Sequence, residues 1–146
     1  MQKINSFNGE YAFLSNFAKS PIMWDNREWP TVEHLFQAAK TLDPIDQEKI
    51  RLVYSPSKAK KLGKNVKMRS DWEQSKHGIM IRCLDLKFEQ NLDLRQLLIN
   101  TGNTILIEGN YWHDNIWGNC YCPRCNNIYG KNILGKCLMS IRGKYV

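Results

Sequence analysis

The sequence predicts a largely helical chain with a few short extended pieces, and three observations carry that reading. Apolar residues recur at helical spacing in several segments, a capping residue is twice followed by proline, and the β-prone runs are only a few residues long. In chain order, Lys3 to Phe7 and Pro21 to Trp24 read as extended, and the turn-like Asp25-Asn26 returns the chain through Arg27 to Trp29 as a small sheet or hairpin. Pro30 to Leu42, PTVEHLFQAAKTL, is an amphipathic helix with Val32, Leu35, Phe36 and Ala39 on its core face. Asp43-Pro44 and Ser55-Pro56 each start a short helix, the second stopping at Gly63. Ser70 or Asp71 caps a longer helix to about Gln90, in which Ile79, Met80, Cys83, Leu84 and Lys87/Phe88 repeat at helical spacing. Asp93 caps a further short helix that ends before Gly102, and Thr104 to Glu108 is β-prone. A loop rich in Asn, Gly, Trp and Cys fills Gly109 to Gly130. Asn132 then caps a last helix whose buried stripe is Ile133, Leu134, Cys137, Leu138 and Ile141.

A chain of 146 residues is expected to form one domain with a real core. Its start, MQKINSFNGE, lacks the features of a secretory signal and no apolar run is long enough to span a bilayer, so a cytoplasmic protein without membrane contact is expected. The net charge is +7. The excess is concentrated in Ser55 to Arg69, where Lys58, Lys60, Lys61, Lys64, Lys67 and Arg69 stand without an acid among them. Such a patch attracts phosphates, in a nucleotide or a nucleic acid backbone, or else serves as a solubilising face.

Five cysteines, an odd number, point to reduced thiols or a metal site rather than a disulfide frame. Cys120, Cys122 and Cys125 (CYCPRC) have close spacing compatible with metal capture, with Cys137 or His113 to complete a tetrahedral set. A structural zinc site normally shows two well-formed pairs, and this stretch has one CxxC with an extra cysteine two positions earlier. The expectation is therefore free thiols in a surface loop, and no metal.

Glu33, Gln37 and Lys40 form a stripe beside the apolar face of the first long helix. Glu33 and Lys40, seven residues apart, line up over nearly two turns at the border of core and solvent. The pair is either a solvated flank or, at a cleft edge, an acid/base group with an electrostatic or nucleophilic amine. Asp114 lies between Trp112 and Trp117 in YWHDNIWG, either as a partly desolvated carboxylate beside aromatic surfaces or as the maker of an Asx-turn. Ser15 and Asn16, between Leu14 and Phe17, suit a ligand hydroxyl or phosphate, and Asn132 to Gly135 offers a helix start to an anion. His34, His77 and His113 lie in no recognisable nucleophile motif, and no Walker or Rossmann glycine pattern is present.

Taken in order, SFNGEYAFLSNF, TVEHLFQAAK, SPSKAKKLG, Arg69 to Trp72, KFEQN, DNIWG and KNILGKCLMSIR resemble the NADAR (NAD and ADP-ribose) or YbiA-like N-glycosidase family, from about Phe7 to Arg142. The resemblance implies a single, mostly helical α+β domain that binds a ribosyl phosphate compound and hydrolyses the bond between ribose C1 and nitrogen, without a cofactor. Family members differ in substrate: some act on early ribose-phosphate intermediates of riboflavin synthesis, others remove ADP-ribose from guanine in nucleic acid. By the same resemblance Glu33, Lys40 and Asp114 are the catalytic groups, and Ser15, Asn16, Phe17, Arg69, Trp72, Trp117, Gly118, Asn132 and Gly135 the binding ones. The basic segment favours ADP-ribosylated guanine, with the riboflavin intermediates as the alternative and a non-catalytic ADP-ribose or NAD binder as a third reading. The chain departs from the simplest members between Gly118 and Asn132, where the cysteines lie.

Overall fold

The computed structural model describes residues 2–146 as an α+β chain. It opens with β1 (Lys3–Ile4), a 3₁₀ turn (Gly9–Leu14) and the strands β2 (Ile22–Trp24) and β3 (Arg27–Trp29). Four helices follow: α1 (Val32–Ala38), α2 (Pro44–Leu52), α3 (Pro56–Gly63) and α4 (Trp72–Gln90). The remainder is α5 (Leu92–Asn100), β4 (Ile105–Leu106), β5 (Gly109–Asn110), β6 (Asn119–Cys120), a 3₁₀ turn (Pro123–Cys125) and α6 (Ile133–Gly143). Among the described residues, no helix is long and apolar enough to cross a membrane. Two compact units result, one from Asn16 to Leu92 and one joining the chain up to Ser15 with Asp93–Val146.

The first unit is organised round α1, which packs against α2, α3 and α4. Asp25 and Asn26 adopt left-handed φ of 54° and 59°, the conformation a two-residue type I′ hairpin needs, and β2 pairs antiparallel with β3 across it. Asp43 and Ser55 cap α2 and α3 as their sequence predicts, accepting from the backbone N–H groups of Ile45 and Lys58, each with proline in the first turn. Asp71 precedes α4 without capping it, because its carboxylate is held by Arg69 and Ser75 instead. A side chain at Gly63 would strike the amide of Gln37, so glycine sets how closely α3 approaches α1.

Every residue of α1 is buried, polar ones included. A stripe at the border with solvent is thus replaced by a helix enclosed on all sides, with Glu33 only 7 % and Gln37 4 % exposed. The polar groups of α1 persist there because they bond locally. Thr31 caps the helix by accepting from the His34 N–H, and its hydroxyl also lies 2.8 Å from His34 Nδ1. His34 Nε2 faces the Val53 carbonyl at 2.9 Å, which can only accept, so Nε2 carries the proton and Nδ1 accepts from Thr31. Burial pulls the His34 pKa below its usual value, and the ring is a neutral structural link between α1 and the end of α2.

Lys87, on α4, is fully buried, and that burial lowers its pKa to about 7. The unfolded chain holds the proton up to the ordinary lysine value of about 10.4, so between these limits unfolding takes up a proton and stability rises with pH. Lys87→Met therefore gains most over the parent at and below neutral pH. The difference in unfolding free energy shrinks by on the order of a few kcal/mol as pH rises towards 10. Denaturant titrations of both proteins across that range check this, and a pH-independent difference refutes it.

In the second unit, β1 pairs parallel with β4, β5 pairs parallel with β6, and α6 packs on β4. The small β-structure of the described residues is three two-stranded ladders, and the expected loop from Gly109 to Gly130 contains one of them. Asn132 sits at the start of α6 with a left-handed backbone, φ 51°, but its side chain does not cap the helix. It bridges to the strand segment instead: Oδ1 accepts from the Glu108 N–H and Nδ2 donates to the Leu106 carbonyl, both at 2.9 Å. An amide thus continues the ladder where the backbone provides no strand. Gly135 lets α6 reach this junction, since a Cβ there would overlap the Leu106 carbonyl and the Asn132 amide. Gly135→Ala is expected to cost about 1–3 kcal/mol, read as a lower denaturation midpoint. An unchanged midpoint would show that helix and strand separate without penalty.

Candidate active site

The first turn of α1 fixes Glu33. Its N–H donates to the Asn16 carbonyl at 3.1 Å, and its Oε1 accepts from Gln37 Nε2 at 2.9 Å, one turn along the helix. The helix ends at Ala38, so Lys40 lies just beyond it rather than within a helix running to Leu42. The reason is tertiary: Lys40 N–H bonds back to Gln37 in a tight final turn, and its carbonyl is taken by the Arg69 N–H at 2.7 Å. The Lys40 amine is half-buried. Desolvation lowers its pKa, the Glu33 carboxylate opposes that shift, and Lys60 and Lys64 on and after α3 reinforce it. The expected pair is thus brought together as a desolvated amine in the field of a buried carboxylate, with two exposed lysines close enough to be felt. Cys83, on α4, faces the same carboxylate. Its thiol is pushed up to about 12, by burial first and by Glu33 second, so it is an inert wall rather than a nucleophile.

Asn16 is held to α4 by a contact from Nδ2 to the Met80 sulfur at 3.5 Å, and its Oδ1 is buried with no hydrogen-bond donor. Gln37 Oε1 is in the same condition, beside Gly63. Buried acceptors without donors are uncommon, and each can accept from a ligand hydroxyl. Phe17 is exposed and Ser15 partly so. Arg69 grips Asp71 through two bonds, at 2.6 and 3.0 Å, which hold that carboxyl down at about 2. Trp72 is in the core, tilted against Phe36 with ring centroids 5.1 Å apart, which gives it a packing role on α1. A cavity of about 270 Å³ lies beside α1, between Trp24, Trp29, Leu35, Ala38, Arg82 and Cys83. Arg69 reaches it, but Glu33 and Lys40 are not among its walls.

The other predicted residues belong to the second unit. Asp114 makes an Asx-turn: Oδ1 accepts from the Ile116 and Trp117 N–H groups at 3.0 and 2.9 Å, leaving Oδ2 outside the turn. Its backbone is clamped by Asn110, which accepts from the Asp114 N–H and donates to its carbonyl. Trp117 is half-buried and Trp112 exposed. Gly118 packs where a side chain would meet Glu108, and its carbonyl accepts from the Asn132 N–H. Asn132 has both ends of its amide on backbone, and Gly135 serves close packing. Both residues build the floor of this region. Cys120, Cys122 and Cys125, expected in a surface loop, are instead buried.

Gln37, Cys83 and Lys87 are polar or ionisable groups that the sequence places only by helical spacing, Gln37 in the stripe with Glu33 and the other two in the repeat of α4. The lysines of the basic segment, Lys58, Lys60, Lys61, Lys64 and Lys67, are all exposed.

Comparison with known proteins places the chain in a family. The chain is 42 % identical over 139 residues to N-glycosidase YbiA of Shigella boydii, an alignment covering 94 % of this chain and 83 % of that protein. It is 32 % identical over 134 residues to Riboflavin biosynthesis protein VVA0006 of Vibrio vulnificus, covering 90 % of this chain but 35 % of that protein. The NMR structure of E. coli YbiA superimposes with a TM-score of 0.84 at 38 % identity, over 99 % of this chain and 86 % of that one. The NADAR domain matches residues 5–145, and with these likenesses over nearly its whole length the chain belongs to the NADAR domain family.

Proposed function

We propose that this chain hydrolyses the bond between ribose C1 and nitrogen in a phosphorylated ribosyl compound, with Lys40 as nucleophile and Glu33 and Asp114 as its carboxylates. Hydrolase activity on N-glycosyl compounds rests on the relatives that bear the name N-glycosidase. The observation that carries the residue assignment is the half-buried Lys40 amine, its pKa lowered by burial, beside the enclosed Glu33 carboxylate. Burial favours the neutral form of this amine, the form able to attack carbon.

In the proposed reaction the Lys40 Nζ lone pair bonds to C1 while the C1–N bond breaks, and the departing base takes that electron pair and a proton. The ribosylamine opens to a protonated Schiff base. Water adds to C1, and collapse frees the sugar aldehyde and returns the amine. A carboxylate stabilises positive charge at C1 and accepts the proton of the attacking water, which is the work given to Glu33 and Asp114. Asn16 Oδ1 supplies an acceptor for a sugar hydroxyl, and Lys60 and Lys64 supply charge for a phosphate.

ADP-ribosylated guanine in nucleic acid is the favoured substrate, because the exposed lysines of Ser55 to Arg69 extend the positive surface beyond what one phosphate needs. The early ribose-phosphate intermediates of riboflavin synthesis are the second reading, supported by the name of the Vibrio relative. Release of ADP-ribose from guanine-modified oligonucleotides is to be compared with base release from the pyrimidine intermediates. Faster turnover of the oligonucleotide, falling steeply with salt, supports the first. Turnover of the intermediates alone supports the second, and tight binding of both without product overturns the glycosidase reading.

A further inference from the structure

The stretch between β5 and α6 folds as a closed cluster of metal-ligating atoms. The His113 imidazole and the Cys120, Cys122 and Cys125 thiols place one donor atom each within 4.8 Å of all the others. His113 Nδ1 lies 3.3 Å from Cys122 Sγ, 3.4 Å from Cys125 Sγ and 3.9 Å from Cys120 Sγ. In a tetrahedron with Zn–S of about 2.3 Å and Zn–N of about 2.0–2.1 Å, the nitrogen-to-sulfur edge is about 3.5 Å. The three separations straddle that value.

Local structure builds the cluster from both sides. β6 pairs with β5 and delivers Cys120, whose N–H donates to Asn115 Oδ1 at 2.9 Å. The Cys122-Pro-Arg-Cys125 turn closes with the Cys125 N–H on the Cys122 carbonyl, at 3.0 Å, which turns both thiols to one point. His113 reaches the same point from a left-handed backbone, φ 68°. The large side chains around it contribute little burial: Tyr111, Trp112, Ile128 and Tyr129 are all at least half exposed, whereas the three thiols are buried. Cys137, the other fourth ligand the sequence allows, is not part of the cluster.

We propose that His113, Cys120, Cys122 and Cys125 bind one zinc ion, a Cys₃His site that pins the loop between β5 and α6. Four protein donors fill a tetrahedron, so the site is structural, and the unpaired spacing that argued for free thiols is made good by a histidine upstream of the cysteines. His113 directly precedes Asp114, so the ion also fixes the backbone from which that carboxylate projects.

The test is metal analysis of the intact chain purified under reducing conditions without chelator, followed by exchange with cobalt(II). One zinc per chain is expected, and the cobalt form should show the intense visible bands of a four-coordinate thiolate site. Cys122→Ser and His113→Ala should each lower zinc content at least several-fold, while Cys137→Ser keeps it. Should a ligand variant fail to fold, the cobalt spectrum of the unaltered chain still reads the donor set. Less than about a tenth of an equivalent after incubation with zinc, a six-coordinate cobalt spectrum, or a disulfide among the three thiols in freshly prepared reduced protein overturns the proposal.

Discussion

Lys40→Met is expected to lower kcat/KM by about 10³-fold or more without moving the unfolding transition, and Lys40→Arg to leave it equally low. The amine is only half-buried and its backbone bonds to Gln37 and Arg69 do not depend on the side chain, so the fold loses little. Arginine keeps a positive charge for a phosphate but cannot supply a neutral amine, which separates the nucleophilic role from the electrostatic one. The pH profile carries the same distinction. Attack needs the unprotonated form, so kcat/KM climbs with pH and levels off at the lowered pKa of Lys40 rather than at the ordinary lysine value. Glu33 is the group that raises that pKa, so Glu33→Gln moves the limb to lower pH in whatever activity remains. Borohydride added during turnover should leave a stable adduct on Lys40. Substantial activity in Lys40→Arg, with no adduct on the parent, would assign the lysine to phosphate binding.

Asp114→Asn is expected to cost about 10²- to 10⁴-fold in kcat while the protein keeps its stability. The asparagine Oδ1 can still accept from the Ile116 and Trp117 N–H groups, so the Asx-turn survives and only the charge at the second oxygen is removed. This substitution therefore separates the two readings of Asp114 that the sequence leaves open. Near-normal turnover in Asp114→Asn, with loss of stability in Asp114→Ala, would make it a turn residue alone. A large kinetic loss in both, with stability falling only in the alanine variant, is the pattern required of a carboxylate that acts on the sugar.

What was legible in the chain was what is decided locally. The Asp43-Pro44 and Ser55-Pro56 starts, the Asp25-Asn26 hairpin turn and the apolar face of α6 depend on residues a few positions apart, and each forms where the pattern places it. The end of α1 was not legible, because Lys40 gives its carbonyl to Arg69, 29 positions away. Nor was the position of Glu33 and Gln37 deep inside, since a polar stripe reads as solvated unless α3 is known to cover it through Gly63. Asn132 shows the same limit in another form: its side chain serves the backbone of Glu108 and Leu106, 24 and 26 positions earlier, rather than its own helix. The buried thiols were misplaced for a related reason, since the pairing of β5 with β6 that gathers them leaves no periodic trace in such short strands. For the Glu33 and Lys40 pair, residue types and spacing named the partners, while tertiary packing determined their electrostatic state.

The bond from the Glu33 N–H to the Asn16 carbonyl makes the entry loop and the first turn of α1 one mechanical piece. Displacing Asn16 would cost the helix this bond in the turn that orients the carboxylate. In the proposed reaction this edge is therefore ordered before a sugar binds, and little ordering entropy is left to be lost there.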